Sequence, residues 1–330
     1  MSTAVEDVGL PVGGPAPGFG TEEIEGRTPW QLFWARFKQD KIAFVGLGVI
    51  VLLVLLAFAA GLIAKFITHH GPNDLSLARQ MTDSFGLPKG PNKTYWFGAD
   101  KAGRDLFIRV IYGIRTSLTV ALIATVISVS IGVVMGIIAG FFGGKIDTAI
   151  SRMIDVILSL PLLLFAIGLG AACSTEKEGC NLGITHIKPG LGLVVFIIAA
   201  FSWPYIARIV RGNTLSIREK EFVEAAISQG ASNRRIMFKE ILPNLVAPII
   251  IYSTLIIPAN IVFEASLSFL GLGVGQSTPS WGRMLSDATI YLDSAPWMLL
   301  FPCVFLVLTT LAFNLLGDGL RDALDPRTGR

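Results

Sequence analysis

The sequence predicts an all-α, polytopic membrane protein with six transmembrane helices. Of its 330 residues, 52% are hydrophobic and only 15% are charged, a composition unlike that of an ordinary soluble domain. Six apolar stretches are long enough to cross a hydrocarbon core of about 30 Å, which needs roughly 20 helical residues. The stretches are Ile42–Ala64, Leu118–Phe142, Val156–Ala172, Gly190–Ala207, Ile241–Phe263 and Ser294–Gly317.

The distribution of Lys and Arg predicts the orientation of these spans. Sixteen of the 27 basic residues fall on the side that carries the N-terminus and eleven fall on the other side. Because cytoplasmic segments are enriched in Lys and Arg, the N-terminus is expected inside, and six crossings place both termini in the cytoplasm. The first span is too long, and follows too many polar residues, to be a secretory signal.

The chain before the second span divides into four parts. Residues 1–28 are rich in Gly, Pro and acids and are predicted to be a disordered tail. In residues 29–41, Phe33 and Phe37 lie one i,i+4 step apart among basic residues, which predicts an interfacial amphipathic helix. Transmembrane helix 1 is assigned to residues 42–67, and an extracytoplasmic loop is assigned to residues 68–115.

The end of that loop combines charges with glycines. Asp100, Arg104 and Asp105 lie among Gly98 and Gly103, which predicts a tight turn followed by a helix that leads into the second span. From the chemistry alone, the simpler interpretation is an ordinary solvated loop.

Residues 116–318 are predicted to form a five-helix core. Gly132, Gly136 and Gly140 recur at four-residue spacing, which lines small residues along one helix face and allows another helix to approach closely. Pro161 is expected to kink the third span. Arg152 and Asp155 stand i,i+3 apart, so a local ion pair is expected there.

The fifth span carries the polar residues of greatest interest. Glu264 is the one acid deep in an apolar run, and such a carboxylate faces either a cavity or a neighbouring helix. We favour a helix–helix link for Glu264, and we keep Asn260, Glu264 and Ser268 as candidates for lining a pathway. In the last span, Gly317 and Gly319 are expected to end the helix, with a cytoplasmic tail at residues 319–330.

The chain has three cysteines. Cys173 and Cys180 fall in one predicted extracytoplasmic loop, where a disulfide is permitted but is not required by the sequence. Cys303 is interpreted as a small packing residue in the last span.

The longest densely charged segment between two spans is residues 221–243. Glu224-Ala225-Ala226 favours a helix, and Gly230 is the residue type that ends a helix in a left-handed conformation. The pattern predicts two short helices joined at a glycine on the cytoplasmic face. On composition alone, a solvated loop is the simpler interpretation.

These residues also carry a family resemblance. Glu224-Ala225-Ala226, Gly230 and Leu242-Pro243 resemble the EAA loop of ABC-importer permeases, with Glu240 where the family usually has isoleucine. Three further segments resemble the C-type membrane subunit of the dipeptide and oligopeptide (peptide/nickel) importers, and the likeness runs from about Pro29 to Arg327. These segments are Trp96–Leu118, Ala265–Leu285 and Asn314–Arg327.

The resemblance implies the type I ABC-importer permease fold and a multi-pass protein of a bacterial inner membrane. It also implies a second (B-type) permease, two ATP-binding subunits or domains that bind ATP and Mg, an extracytoplasmic peptide-binding protein, and surrounding lipid. The coupling loop is residues 212–243. Its implied ATPase-docking residues are Glu221, Glu224, Ala225, Ala226, Gly230, Ala231, Arg234, Arg235, Leu242 and Pro243.

Motifs for chemistry in the chain itself are missing from the sequence. No GxxxxGK[ST], GxSxG or HExxH pattern occurs, and the His69-His70 pair is too small a set for a metal site. We therefore expect no catalytic site, cofactor, metal or nucleic acid on this chain.

The expected function is that of a permease subunit in an ATP-driven importer of dipeptides or oligopeptides. The same importer type with nickel, glutathione or another peptide-like cargo stays open. A channel or secondary transporter is the competing class, although the two halves show no repeated pair of broken helices.

Overall fold

The structure is a computed structural model, and it describes residues 29–174, 180–181, 186–187, 190–275 and 277–324. The predicted tail at residues 1–28 and the last six residues lie outside this part of the chain. Most of the described residues are helical and the two strands among them are two residues long, so the all-α class is confirmed.

Eleven α-helices and one short hairpin make up the described chain. The helices are α1 (Pro29–Phe37), α2 (Lys41–Ile63), α3 (Leu106–Phe142), α4 (Gly144–Ser159), α5 (Leu162–Ser174), α6 (Leu191–Arg218), α7 (Glu221–Ser228), α8 (Asn233–Arg235), α9 (Leu242–Phe269), α10 (Trp281–Ala288) and α11 (Trp297–Leu324). The segments Ala64–Thr68 and Ile236–Ile241 are π-helical, and Thr289–Tyr291 forms a 3₁₀ turn. The strands β1 (Cys180–Asn181) and β2 (His186–Ile187) pair antiparallel, with Cys180 opposite Ile187.

By length and composition, five helical segments of the described chain can cross a membrane, or six if one bent pair is counted as a single span. The pair is α4 and α5, whose axes differ by 79°. Pro161 stands at the break, and Leu160 before it is extended with ψ 129°, as expected for a residue that precedes proline. The predicted effect of Pro161 is confirmed, but residues 156–172 are not one continuous helix.

The glycine stripe on α3 packs against α6, as the sequence predicted. A Cβ on Gly136 would lie 2.7 Å from the Ala207 carbonyl oxygen, and one on Gly140 would lie 2.6 Å from Thr214 Cβ. Gly132 faces Ile206 in the same way. The backbones of α3 and α6 are therefore closer together than any side chain at these three positions would permit.

The last helix does not end where the sequence predicted. α11 continues through Gly317 and Gly319 to Leu324. A Cβ on Gly317 would lie 2.9 Å from Leu255 Cδ2 of α9, and one on Gly319 would collide with Ala43 of α2. These glycines serve helix packing instead of helix termination.

The predicted local ion pair between Arg152 and Asp155 is also wrong. Asp155 of α4 pairs with Arg208 of α6 at 2.8 Å, and Asp147 of α4 pairs with Arg211 of α6, whose Nη2 donates to Asp147 Oδ2 at 2.6 Å. The partners lie more than 50 positions away in sequence, where local spacing carries no information. Together they fasten α4 along the charged end of α6.

The helix at Pro29–Phe37 has an apolar face that packs on the rest of the chain. Phe33 and Phe37 stack with ring centroids 5.8 Å apart, and both are buried with Ala323 of α11 and Ala43 of α2. Asp40 then caps α2, because its Oδ1 accepts the backbone N–H groups of Ile42 and Ala43 at 3.0 Å.

The stripe yields a test of the packing. Gly136→Leu is expected to destabilise the protein by about 2 kcal/mol or more, because α3 and α6 must separate to admit the side chain. Gly48 of α2 has no atom within 4 Å of an added Cβ, so Gly48→Leu is the matched control. Thermal unfolding in detergent measures both, and equal stability of the two variants would contradict the packing described here.

Candidate functional site at the EAA-like loop and the membrane cavity

The turn after α7 has a defined hydrogen-bond pattern. Gly230 has a φ of +77°, its N–H donates to the Ile227 carbonyl at 2.9 Å, and the Ala231 N–H donates to the Ala226 carbonyl at 3.0 Å. These are the two bonds of a Schellman motif, with glycine at the left-handed position. The predicted left-handed glycine is confirmed, and Ala226, Gly230 and Ala231 together build the turn.

After the turn the chain enters a second helix. This helix is not short, as predicted, but continues into the fifth span. Ser232 Oγ accepts the Arg235 N–H at 3.4 Å and caps α8. α8, the π-helical segment and α9 form one helical unit over Asn233–Phe269, 37 residues long. At 1.5 Å per residue it extends for about 55 Å, well beyond a hydrocarbon core of about 30 Å. The second half of the EAA-like loop, residues 212–243, is thus an extension of the fifth span.

The first half of this loop is held against the same unit. α6 itself continues to Arg218, whose Nη1 donates to the Phe141 carbonyl at the end of α3 at 3.1 Å. Val223 of α7 is fully buried in a cluster with Ile236, Met237 and other apolar residues of α3, α6 and α9. α7 is therefore anchored by one face, and its other faces are free to meet a partner.

Most of the predicted docking residues lie on that outer surface. Ala226, Ala231 and Leu242 are half-buried, because they belong to the turn and to the buried cluster beside it. The exposed ones are Glu221, Glu224, Ala225, Gly230, Arg234, Arg235 and Pro243.

Three exposed apolar side chains accompany them and were missed from the sequence. Phe222, Ile227 and Phe238 are 42%, 52% and 53% exposed. Large apolar groups among exposed charges on a loop are typical of a surface that another protein covers. Large apolar residues inside a charged segment were the feature of the sequence that could have predicted them.

A cavity of about 400 Å³ lies between α5, α6 and α9. Its polar groups include Ser202, Tyr205, Tyr252 and Asn260, and the rest of its wall is apolar. Ser202 Oγ donates to Asn260 Oδ1 at 3.1 Å, and Asn260 Nδ2 donates to Thr125 Oγ1 of α3 at 2.8 Å. The amide group of Asn260 is thus fixed in orientation at the cavity edge.

Glu264 occupies a different place. Its carboxylate is fully buried and accepts hydrogen bonds from Ser117 Oγ of α3 at 2.8 Å and from Ser268 Oγ at 2.7 Å. The helix–helix link favoured from the sequence is present between α3 and α9. Of the three predicted pathway residues, only Asn260 borders the cavity, so a pathway role for Glu264 and Ser268 stays a prediction without geometric support.

The α3 hydroxyl residues that bond to other helices, which were not predicted, lie on one face of α3; Ser128 Oγ, for example, donates to the Ala199 carbonyl of α6 at 3.4 Å. Ser117, Thr125 and Ser128 precede the glycines at spacings of eight, three and four residues, which continues the stripe. Small hydroxyl residues in line with a glycine stripe were the signal that could have revealed them.

The opposite end of the molecule is a packed polar structure and not a solvated loop. Arg109 and Asp100 are buried, with Arg109 Nε 3.3 Å from Asp100 Oδ2, and Gly98 and Gly103 have φ of +79° and +77° in the predicted turn. Asp105 caps α3 by accepting the Phe107 N–H at 2.9 Å, and burial raises the pKa of its carboxyl to about 6.

This packed structure contacts α10 and the segment before it. Lys101 Nζ lies 3.0 Å from Asp287 Oδ1, and Asn73 Nδ2 donates to the Ser277 carbonyl at 2.7 Å. The loop at residues 68–115 and residues 277–287 therefore form one continuous surface.

Cys173 is buried and disulfide-bonded. The side chain of Cys180 lies outside the described residues, so the pairing of Cys173 with Cys180 stays a prediction. Cys303 is free and half-buried in α11.

Two family profiles match the chain. The family described as binding-protein-dependent transport system inner membrane component matches residues 132–330. The N-terminal TM domain of oligopeptide transport permease C matches residues 28–83.

Curated relatives match over almost the whole chain. The glutathione transport system permease protein GsiD of Salmonella typhi is 44% identical over 301 residues, 91% of each chain. The oligopeptide transport system permease protein OppC of Escherichia coli is 41% identical over 92% of this chain and 93% of its own. The dipeptide transport system permease protein DppC of Alkalihalophilus pseudofirmus is 39% identical over 91% of this chain and 90% of its own.

Among solved structures, a chain of the MetNI methionine ABC transporter in an inward-facing conformation is similar in fold. The TM-score is 0.52 at 18% identity, and the match covers 66% of this chain and 96% of that chain. A sequence identity this low supports the fold alone.

The buried carboxylate gives a test of the link between α3 and α9. Ser117→Ala and Glu264→Ala are each expected to destabilise the protein by about 1–3 kcal/mol, because each removes one partner of a buried hydrogen bond. In a double-mutant cycle read by thermal unfolding, the losses are expected to be non-additive by about 0.5 kcal/mol or more. Strict additivity would show that the two side chains do not interact.

Proposed function

Because the chain belongs to the family of binding-protein-dependent transport system inner membrane components, we propose that it is one of two membrane-spanning subunits of an ATP-driven importer of dipeptides or oligopeptides. The observation that carries the mechanism is the continuous helical unit Asn233–Phe269. One end of this unit belongs to the exposed EAA-like loop, and its middle borders the cavity through Tyr252 and Asn260. A movement of the loop would therefore reach the cavity along one unbroken helical unit.

We assign the exposed face of the EAA-like loop to a cytoplasmic ATP-binding subunit. Glu224 would pair with a basic group of that subunit, and the small Ala225 beside it would allow close approach. Phe222 and Ile227 would supply apolar contact at the same interface. ATP and Mg would be bound by the partner subunits, and this chain would catalyse no reaction itself.

Coupling then follows from the way the helices are joined. Closure of the ATP-binding subunits would push α7, and its buried anchor Val223 would pass the displacement to the helical unit. A tilt of α9, together with the α3 and α6 to which it is hydrogen-bonded, relative to α5 would change the opening of the cavity. Alternating access of this kind needs two states that both ATP and the extracytoplasmic binding protein bias.

A peptide cargo is supported by the relatives, whose names cover dipeptides, oligopeptides and glutathione. The cavity offers the Asn260 amide and the hydroxyls of Ser202, Tyr205 and Tyr252, which are groups that pair with peptide N–H and C=O. Glutathione is the alternative cargo, favoured by the 44% identity to GsiD. The binding protein would make the selection and would dock on the surface that joins residues 73–105 to residues 277–287, with both chain termini in the cytoplasm.

Co-purification tests the proposal. Tagged protein from its native membrane is expected to bring down ATPase subunits and ATP hydrolysis, and Glu224→Arg is expected to lose both, because the reversed charge faces the basic group. Asp318→Arg is the matched control, since Asp318 is exposed on α11 and outside the EAA-like loop. If the wild type carries no ATPase and no hydrolysis, the importer proposal fails and a channel or secondary transporter replaces it.

A second prediction concerns the turn. Gly230→Val is expected to insert in the membrane but to lose ATP-driven uptake, because a β-branched residue at φ +77° costs about 1–3 kcal/mol. No atom lies within 4 Å of an added Cβ at Gly230 or at the helical Gly212, so Gly212→Val controls for side-chain size. Peptide uptake into proteoliposomes is the measurement. Normal uptake by Gly230→Val would show that the left-handed turn is dispensable.

A further inference from the structure

A groove of about 270 Å³ runs between α2 and α3, away from the cavity described above. Its residues recur at helical spacing on each helix, so each helix contributes a single stripe to its wall. The residues are Val54, Ala57 and Phe58 of α2, and Arg115, Leu118, Thr119 and Leu122 of α3.

Arg115 is the one charged residue in this groove. Its side chain is exposed, and within the described chain no hydrogen bond or ion pair holds its guanidinium. Its neighbours are apolar apart from the Thr119 hydroxyl. A charge in an apolar groove on a membrane span is costly unless an opposite charge meets it.

Arg115 lies toward the end of the span that is opposite the EAA-like loop, and this depth indicates which group could supply the opposite charge. Tyr112, one turn earlier in α3, lies beside Gly61 near the end of α2. The groove residues Ala57 and Phe58 precede Ile63, the last residue of α2, by six and five positions, about 8 Å along the helix, and the π-helical segment continues this span to Thr68.

The direction of the Arg115 side chain brings its head nearer to the membrane surface. Helical Cα–Cβ bonds tilt toward the N-terminus, and the N-terminus of α3 is at the end of the molecule opposite the EAA-like loop. The stem can lie in hydrocarbon while the guanidinium reaches the headgroup level, as long basic side chains do at span ends.

We propose that this groove is a binding site for a diacyl glycerophospholipid of the leaflet opposite the EAA-like loop. The lipid phosphate would accept hydrogen bonds from the Arg115 guanidinium, whose planar fork matches two phosphate oxygens. One acyl chain would lie along the groove against Val54, Phe58 and Leu122. Such a lipid would hold α2 to α3 on the face where direct packing is incomplete, and the site does not depend on the identity of the cargo.

Native mass spectrometry of the purified transporter titrated with phosphatidylglycerol tests this site. The wild type is expected to retain one tightly bound lipid, and Arg115→Gln is expected to bind it about tenfold more weakly, because one charge-assisted contact is lost. Thr119→Phe keeps the Arg115 charge and is expected to weaken lipid binding to the same extent, because the larger side chain fills the groove. Thr119 is exposed, so the substitution does not disturb the core. Arg152→Gln, at an exposed arginine of α4, is the matched control and should bind as the wild type does.

Two results would overturn the proposal. Unchanged lipid affinity in both Arg115→Gln and Thr119→Phe would show that the groove holds no lipid, as would occur if a carboxylate of a second permease paired with Arg115. Displacement of the lipid by excess inorganic phosphate would show that the groove contributes nothing to binding. Phosphate is expected to leave the lipid in place.

Discussion

In a hydrocarbon solvent, apolar side chains gain little by leaving the lipid, so α3 and α6 are held by the closeness of their backbones. Gly132, Gly136 and Gly140 make that approach possible, and each lies against a larger residue of α6. The contact also fixes the functional end of the molecule, because α6 continues beyond it to Arg218, which caps the end of α3. The EAA-like loop starts from a helix that cannot shift without moving α3.

Buried polar side chains extend this contact to a third helix. Glu264 binds Ser117, and Asn260 binds Thr125, so α9 is joined to α3 at two levels. Since α9 is continuous with the second half of the EAA-like loop, α3, α6 and α9 form a block to which the loop is fixed at both ends. The cavity lies at the side of this block facing α5, whose connection to α4 bends by 79°. In the proposed mechanism, an opening of the cavity would therefore be a movement between this block and α5.

Much of this architecture could be predicted from the sequence because its determinants are local. Proline at 161 and glycine at 230 act on their own backbone, and the glycine stripe on α3 depends on helical spacing alone. The errors have a common physical origin in distant partners. Asp155 pairs with Arg208 and not with Arg152, and Gly319 packs on Ala43, because contacts across the bundle are set by tertiary packing. The continuity of the loop with α9 was also not predicted. The predicted span began at the first apolar run, and the charged residues before that run gave no sign that the helix starts earlier.

The central claim is that the EAA-like loop and α9 move as one body. It is tested by the distance between spin labels on the exposed residues Gln229 and Val246, measured in the assembled transporter without nucleotide and with ATP trapped. Labels on the two ATP-binding subunits report that closure has taken place. We predict that the Gln229–Val246 distance stays the same while the ATPase distance shortens. A change in the Gln229–Val246 distance on closure would show that the loop swings on a joint, and the lever mechanism would be wrong.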